Sequence, residues 1–258
     1  MISETAFENI QENARLCKYS SLNYTDYDAC KSADVLFQAP DAVLLHDSTV
    51  TPPQLYFAAD DFDLVLRETN SLKGPLRMNF APYEHLQTLT EAGFDIFAEF
   101  VDYFLPNLKD ASVATEQCNS ITYMTQAECE AASILSRRCA GQSRGFCGEP
   151  PEFFSEWMNE GNCVMMIRCQ NGIAGFCCVS IYGEGTTLWI RELAVDPACQ
   201  GLGYGKKLVE QAIAYGMRNG AVKAFLAVDT MNHNAISIYK RYGFAQRGVQ
   251  GELQMIRR

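Results

Sequence analysis

No stretch of this 258-residue chain approaches the ~20 consecutive apolar residues that a helix needs to cross a bilayer. Its first residues, Met1-Ile2-Ser3-Glu4-Thr5, have neither the basic start nor the apolar run of a secretion signal. Both absences lead to the expectation of a cytoplasmic protein with no membrane partner. Basic charge is short as well. The chain has 21 Lys and Arg against 31 Asp and Glu, a net charge of -10, which argues against a nucleic-acid partner held through its phosphates. Histidine is scarce, at 3 residues, and the 11 cysteines include no CxxC pair. No His/Cys/Asp cluster has metal-ligand spacing, so no metal is expected. An odd number of scattered cysteines fits reduced core thiols better than a disulfide framework.

The acid excess is confined to one part of the chain. Residues 1–118 hold 7 Lys/Arg and 19 Asp/Glu, whereas residues 119–258 hold 14 and 12. With 48% hydrophobic residues the chain can bury one large or two ordinary domains. The charge shift favours two, placed at 1–116 and 117–258, with the polar stretch from Pro106 to about Glu116 as linker.

Apolar periodicity predicts a helix over 3–17, strands at 41–46 and 54–58, a helix over 60–70, a strand at 75–80, a helix over 82–92 and a long strand at 94–104. Residues 18–40 carry no clear period. In the second half, a strand at 120–124 leads into a helix over 126–139 whose Thr125 and Glu128 have capping-box spacing. A helix follows over 150–159, with prolines in its first turn. Strands at 162–169, 173–182 and 186–195 are joined by Gln170-Asn171-Gly172 and Gly183-Glu184-Gly185, which predicts an antiparallel meander. The expected class is therefore α/β (α+β), a mostly antiparallel mixed sheet flanked by helices, with a second α/β domain before it. Gly93-Phe94 and Gly243-Phe244 each end a helix and open a strand, 150 residues apart. A diverged duplication and the chance recurrence of one junction both account for that match.

Chemistry gathers at Gln200-Gly201-Leu202-Gly203-Tyr204-Gly205-Lys206, between a strand and a helix. Glycines there remove side-chain bulk, and the amides opening a helix lack internal partners, so the loop suits a pyrophosphate. A dinucleotide fingerprint fails because Lys206 stands where its third glycine belongs, and a P-loop fails at both ends, Gln200 and Lys207. Gln-x-x-Gly-x-Gly is satisfied. About 30 residues on comes Asn234-Ala235-Ile236-Ser237-Ile238-Tyr239, with Gly243-Phe244 after it, and Arg191-Glu192-Leu193-Ala194-Val195 runs into the loop.

Over roughly residues 120–258 this combination resembles the GNAT superfamily of N-acetyltransferases; the N-terminal half carries no such signature. The resemblance implies acetyl-CoA as co-substrate and a primary amine, small or on a protein, as acceptor. It implies that the backbone of Leu193, Ala194 and Val195 holds the pantetheine arm. Gln200, Gly201, Leu202, Gly203, Tyr204, Gly205 and Lys206 would hold the pyrophosphate, with Asn234 near the cofactor. Tyr239 matches the family's catalytic tyrosine and is the candidate general acid, although it also fits a core position beside Ala235 and Tyr242. Glu192, in an apolar strand where burial would raise its pKa, is the candidate base or else a structural partner of Arg191. A non-catalytic acyl-CoA sensor is the alternative function. The first half is expected to shape the substrate site or form a homodimer.

Overall fold

The computed structural model describes residues 2–113, 120–159, 161–170, 172–248 and 251–258. Residues 114–116 of the expected linker and Asn171 of the first turn lie outside them. The chain forms two compact units, one of residues 1–99 with 252–258 and one of residues 100–251.

The first unit opens with α1 (Glu4–Ala14), capped by Ser3, whose hydroxyl accepts from the Ala6 amide at 3.2 Å. The stretch without a clear period contains β1 (Tyr19–Ser20), the short α2 (Tyr27–Cys30) and β2 (Asp34–Ala39). There follow β3 (Ala42–Asp47), β4 (Gln54–Ala59), α3 (Phe62–Thr69), β5 (Leu76–Met78) and α4 (Leu86–Glu91). β2, β3 and β4 pair antiparallel; β4 and β5 pair parallel across the α3 crossover. Every residue of β4 is buried, because α1 covers one face and α3 the other. Asp61 caps α3 by accepting from the Asp63 amide at 3.0 Å, and Asp60 accepts from the Lys18 amide at 3.0 Å.

The strand β6 (Phe94–Leu105) runs from the first unit into the second. The second unit then contains β7 (Ile121–Tyr123), α5 (Cys129–Arg138), α6 (Pro151–Trp157), β8 (Asn162–Cys169), β9 (Gly172–Tyr182) and β10 (Thr187–Val195). The glycine loop leads into α7 (Tyr204–Arg218), followed by β11 (Lys223–Asp229), α8 (His233–Arg241) and β12 (Ala245–Gln246). β8 to β10 form the expected antiparallel meander, β7 adds to it antiparallel beside β8, and β10 and β11 pair parallel across α7. The expected capping box is present at Thr125 and Glu128. One core packs α7 and α8 against the sheet, and a second lies under α5 and α6 on its other face.

The two units repeat one topology. Each has an antiparallel three-strand run, a parallel partner reached through a helix, and a second helix ending at a Gly-Phe junction. Gly93 and Gly243 take nearly the same left-handed angle there, φ +86° and +85°. In the first unit β5 pairs antiparallel with β13 (Glu252–Arg257), the last strand of the chain. In the second, β11 pairs antiparallel with Phe100–Leu105.

The units therefore meet in sequence at Glu99/Phe100 and not after residue 116, and the terminal strand goes with the first unit. The expected linker also differs. Leu108 and Ala111 are buried in the second unit's core, and a Cβ on Gly216 of α7 would lie 3.1 Å from Leu108 Cδ1.

Candidate acyl-donor and acceptor site

β10 and β11 stay in register for three residues, Thr187↔Lys223 to Trp189↔Phe225. Beyond Trp189 they part, so the peptide edge of β10 from Ile190 to Val195 is free of β11 and borders a gap. The α7 loop closes one end of that gap. Gly201 and Gly203 have φ of +79° and +81°, and a Cβ on either would meet nothing within 4 Å. Their glycine requirement is thus conformational. Gly203 is the N-cap of α7 and offers no side-chain cap, and the Lys207 amide makes the first return bond to Gly203 O at 3.2 Å. The amides of Tyr204, Gly205 and Lys206 precede that ladder at the positive end of a 15-residue helix. The first unit lacks this opening, since Asp61 fills the cap of α3 with its own carboxylate.

A cavity of about 590 Å³ lies along the gap, lined by Leu193, Val195, Gln200, Gly201, Gly203, Tyr204, Gly205, Lys206, Asn234 and Ala235. Of the expected cofactor-binding residues only Leu202 and Ala194 are not on its wall. Leu202 is 63% exposed at the loop tip, and Ala194 is buried under α5 and α6. Gln142, Cys199, Asn232, Ser237 and Ile238 complete the wall. Asn232 escaped the sequence reading. Asn232, not a residue of the Asn234 motif, caps α8 by accepting from the Ala235 amide at 3.2 Å.

Polar ties fix the loop. Gln200 Nε2 donates to Val195 O at 3.1 Å and to Gln142 Oε1 at 2.9 Å. Arg138, at the end of α5, holds the buried Asp196 with two bonds of 2.8 and 2.9 Å. Asp196 also caps the turn before the loop by accepting from the Ala198 amide at 2.9 Å. An open nest of amides with a nearby lysine fits a pyrophosphate, and a two-walled gap bordered by unpaired strand edge fits an extended arm.

Glu192 lies where β10 bulges. Ile190 pairs with Val179 and Glu192 with Cys178, leaving Arg191 as the extra residue. The bulge sets which face Glu192 takes. Ile190, Leu193 and Val195 pack toward α7, whereas Ala194 packs under α5 and α6. Strict alternation from Ile190 would turn Glu192 toward α7; the extra residue puts it with Arg191 on the α5–α6 face. Burial, then the neighbouring Glu149, raise its pKa to about 7, against the opposing pull of Arg191 and the Leu193 amide. Tyr239 is buried in α8 at 8% exposure, with its ring 6.0 Å from Phe244. Burial, Cys177 and Glu192 together push its phenol well above its ordinary value, so it stays protonated at neutral pH. Among the described residues its hydroxyl has no hydrogen-bond partner. No group of three His, Cys, Asp or Glu that could hold a metal occurs among the described residues, and no helix is long and apolar enough to cross a membrane.

Residues 130–244 match the acetyltransferase (GNAT) family. The streptothricin acetyltransferase of Streptomyces lavendulae is 35% identical over 87 residues, 34% of this chain and 46% of that protein. The chain spans less than half the length of the first curated relatives that it matches. Among solved structures, a GCN5-related N-acetyltransferase from Sphaerobacter thermophilus aligns with a TM-score of 0.58 at 14% identity, covering 84% of this chain and 80% of that one. A tandem GNAT protein from the clavulanic acid biosynthesis pathway aligns with a TM-score of 0.57 at 11% identity, over 84% and 78%.

The chain has a mixed α/β fold shared with these acetyltransferase structures, with splayed parallel strands that end in an open helix terminus. Its second-unit region, residues 130–244, belongs to the acetyltransferase (GNAT) family. Because the tandem match covers more of the chain than the second unit contains, the shared fold extends into the first.

Proposed function

We propose that this chain is an N-acetyltransferase that moves an acetyl group from acetyl-CoA directly to a primary amine. One observation carries the reading: the open amide nest of α7, the unpaired edge of β10, Glu192 and Tyr239 all belong to the same splayed pair of strands and the helices that follow them. A module that only sensed acyl-CoA would need the nest and the edge but neither the carboxylate nor the phenol.

In this reading the amides of Gly201 to Lys206, with Lys206 and Gln200, hold the pyrophosphate. The edge of Leu193 to Val195 aligns the pantetheine arm, and Asn234 borders it. When bound, acetyl-CoA supplies a thioester whose carbonyl carbon is open to attack. An arriving amine is an ammonium and must first lose a proton. Glu192, with a pKa of about 7, accepts it, directly or through water, near neutrality. The amine nitrogen then bonds to the carbonyl carbon, the carbon–sulfur bond breaks, and the nitrogen sheds its second proton, which restores the phenol once Tyr239 has protonated the sulfur. Tyr239 gives its proton to the departing sulfur, a task for a neutral phenol. Holding both reactants in one gap accounts for much of the rate, since alignment replaces a bimolecular encounter.

Thiol release on an amine panel tests this. Tyr239→Phe should keep acetyl-CoA affinity and lower kcat by roughly 10²-fold or more. Tight acetyl-CoA binding with no thiol release on any amine would instead make the protein an acyl-CoA sensor.

A further inference from the structure

The α5–α6 face of the bulge carries more charge chemistry than proton transfer uses. Arg191, the extra residue, is exposed, and its guanidinium carbon lies 4.5 Å from the Phe153 ring centroid, 4.9 Å from Trp157 and 5.8 Å from Trp189. Three rings thus hold one cation beside the candidate base. Among the described residues Arg191 has no ion pair, so the donors on the rim of its guanidinium are available to an anionic oxygen. The Trp157 indole N–H is itself buried without a hydrogen-bond partner among the described residues.

Across the same face stands a second carboxylate that sequence reasoning passed over. Glu149 precedes α6, and two fully buried serines of α5 clamp its peptide groups. Ser133 Oγ donates to Glu149 O at 2.7 Å, and the Glu149 amide donates to Ser136 Oγ at 2.9 Å. Gly148 makes that path possible: its φ is +89°, and a Cβ there would lie 2.5 Å from the Arg137 backbone. Burial raises the pKa of both carboxyls, Glu149 adds to the rise at Glu192, and Arg191 opposes it at both. A cation arriving between two such carboxylates relieves their repulsion.

We infer that Arg191 is a specificity-determining residue of the acceptor site, and that the acceptor is an amino-acid-type molecule, with its carboxylate on Arg191 and its ammonium on Glu149 and Glu192. The inference rests on the transfer reading above. It concerns only the acceptor, and an amine without a carboxylate would leave the stacked guanidinium unused.

The test compares acceptors that differ only in the carboxylate: amino acids against their primary amides, and lysine and ornithine against cadaverine and putrescine. With wild-type protein, thiol release should show kcat/KM at least about tenfold higher for the carboxylate-bearing member, the scale of a hydrogen bond to a charged group. Arg191→Gln should collapse that ratio toward one, chiefly through the KM of the carboxylate-bearing member. Arg191→Lys should restore part of it, since the charge returns without the planar fork. Thermal midpoints of both variants separate this from loss of folding. Turnover with no preference in the wild type overturns the inference and leaves acetyl transfer standing. An equal loss on both members in Arg191→Gln also overturns it, giving Arg191 only a packing role. Turnover on no amine refutes the transfer reading, and the inference with it.

Discussion

Arg144 holds Asp229 with a fork: its Nη2 lies 2.6 Å and its Nε 3.0 Å from Oδ1, and its own amide adds a bond of 2.7 Å to Oδ2. This ties the α5–α6 loop, which carries Gln142 and Glu149, to the end of β11. Asp229 is 2% exposed, so the pair is effectively buried on the carboxylate side.

Burial alone would raise the Asp229 pKa, but the Arg144 side chain and the Arg144 and Met231 amides outweigh it and hold it below its ordinary value. Its folded pKa is thus depressed. The stability it contributes is present above the unfolded value near 3.8 and is lost as pH falls through the lower folded one. Arg144→Met removes the fork but leaves both amides, so it should cost roughly 2 kcal/mol, below the 3–5 typical of an isolated buried charge. Urea unfolding at pH 7 and at pH 3 checks both. The difference between wild type and variant should shrink at the lower pH.

Glu192 gives the opposite sign. Its folded pKa, about 7, lies above the ordinary carboxyl value of 4.5. Between those limits the folded state binds the extra proton, so stability falls as pH rises from 4.5 through 7. Activity runs the other way, because a base works when deprotonated, and kcat/KM should climb through pH 7 to a plateau. Glu192→Gln should abolish that climb, lower activity by about 10² or more, and leave the protein more stable than wild type above pH 7. A rate profile with the same midpoint in wild type and variant would remove Glu192 from the proton path.

Much of this site could be read from the chain. The strand of Glu192, the glycine loop and the helix of Tyr239 stand in the expected order, because local strand–loop–helix geometry depends on neighbours in sequence. Glu149 could not be read, since its link to Glu192 passes through Ser133, Ser136 and a bulge at Arg191. A bulge leaves no period in a single sequence. The unit boundary was hidden for a related reason. Phe94–Leu105 reads as one uninterrupted strand, yet its two ends serve different cores, and the terminal strand joins residues far back in the chain, from Met255↔Met78 to Arg257↔Leu76. Short-range patterns carry no record of such pairings.

The glycines of the second unit should divide into two behaviours. A Cβ on Gly203 would touch nothing within 4 Å, so Gly203→Ala meets only the left-handed backbone at φ +81°. That costs about 1–2 kcal/mol, and a loop that relaxes away from it should raise the KM for acetyl-CoA several-fold with little change in kcat. Gly175 has no left-handed angle, but a Cβ there would lie 2.8 Å from Ala194 O, against the free stretch of β10. Gly175→Ala should therefore cost about 1–3 kcal/mol through overpacking and shift the strand beside Glu192, so that kcat falls as well. Matched kinetics and melting curves separate the two.

The strand shared between halves of the chain decides where the protein can be cut. Phe100–Leu105 pairs residue by residue with β11, from Asp229↔Phe100 to Ala224↔Leu105. Val101, Tyr103 and Leu105 from this strand are buried in the core under α7 and α8. A fragment beginning at residue 106 keeps every expected site residue but loses these three side chains, worth about 1.5–3 kcal/mol each. That sum rivals the whole stability of an ordinary domain, and the cut also bares a β11 edge open to self-association. A fragment of residues 100–251 keeps the pairing. Expressed side by side, the longer fragment should give a cooperative melt and bind acetyl-CoA, and the fragment starting at 106 should aggregate. Equal melting of the two would mean that β11 tolerates an open edge, and that the strand from the first half of the chain is dispensable to the second unit.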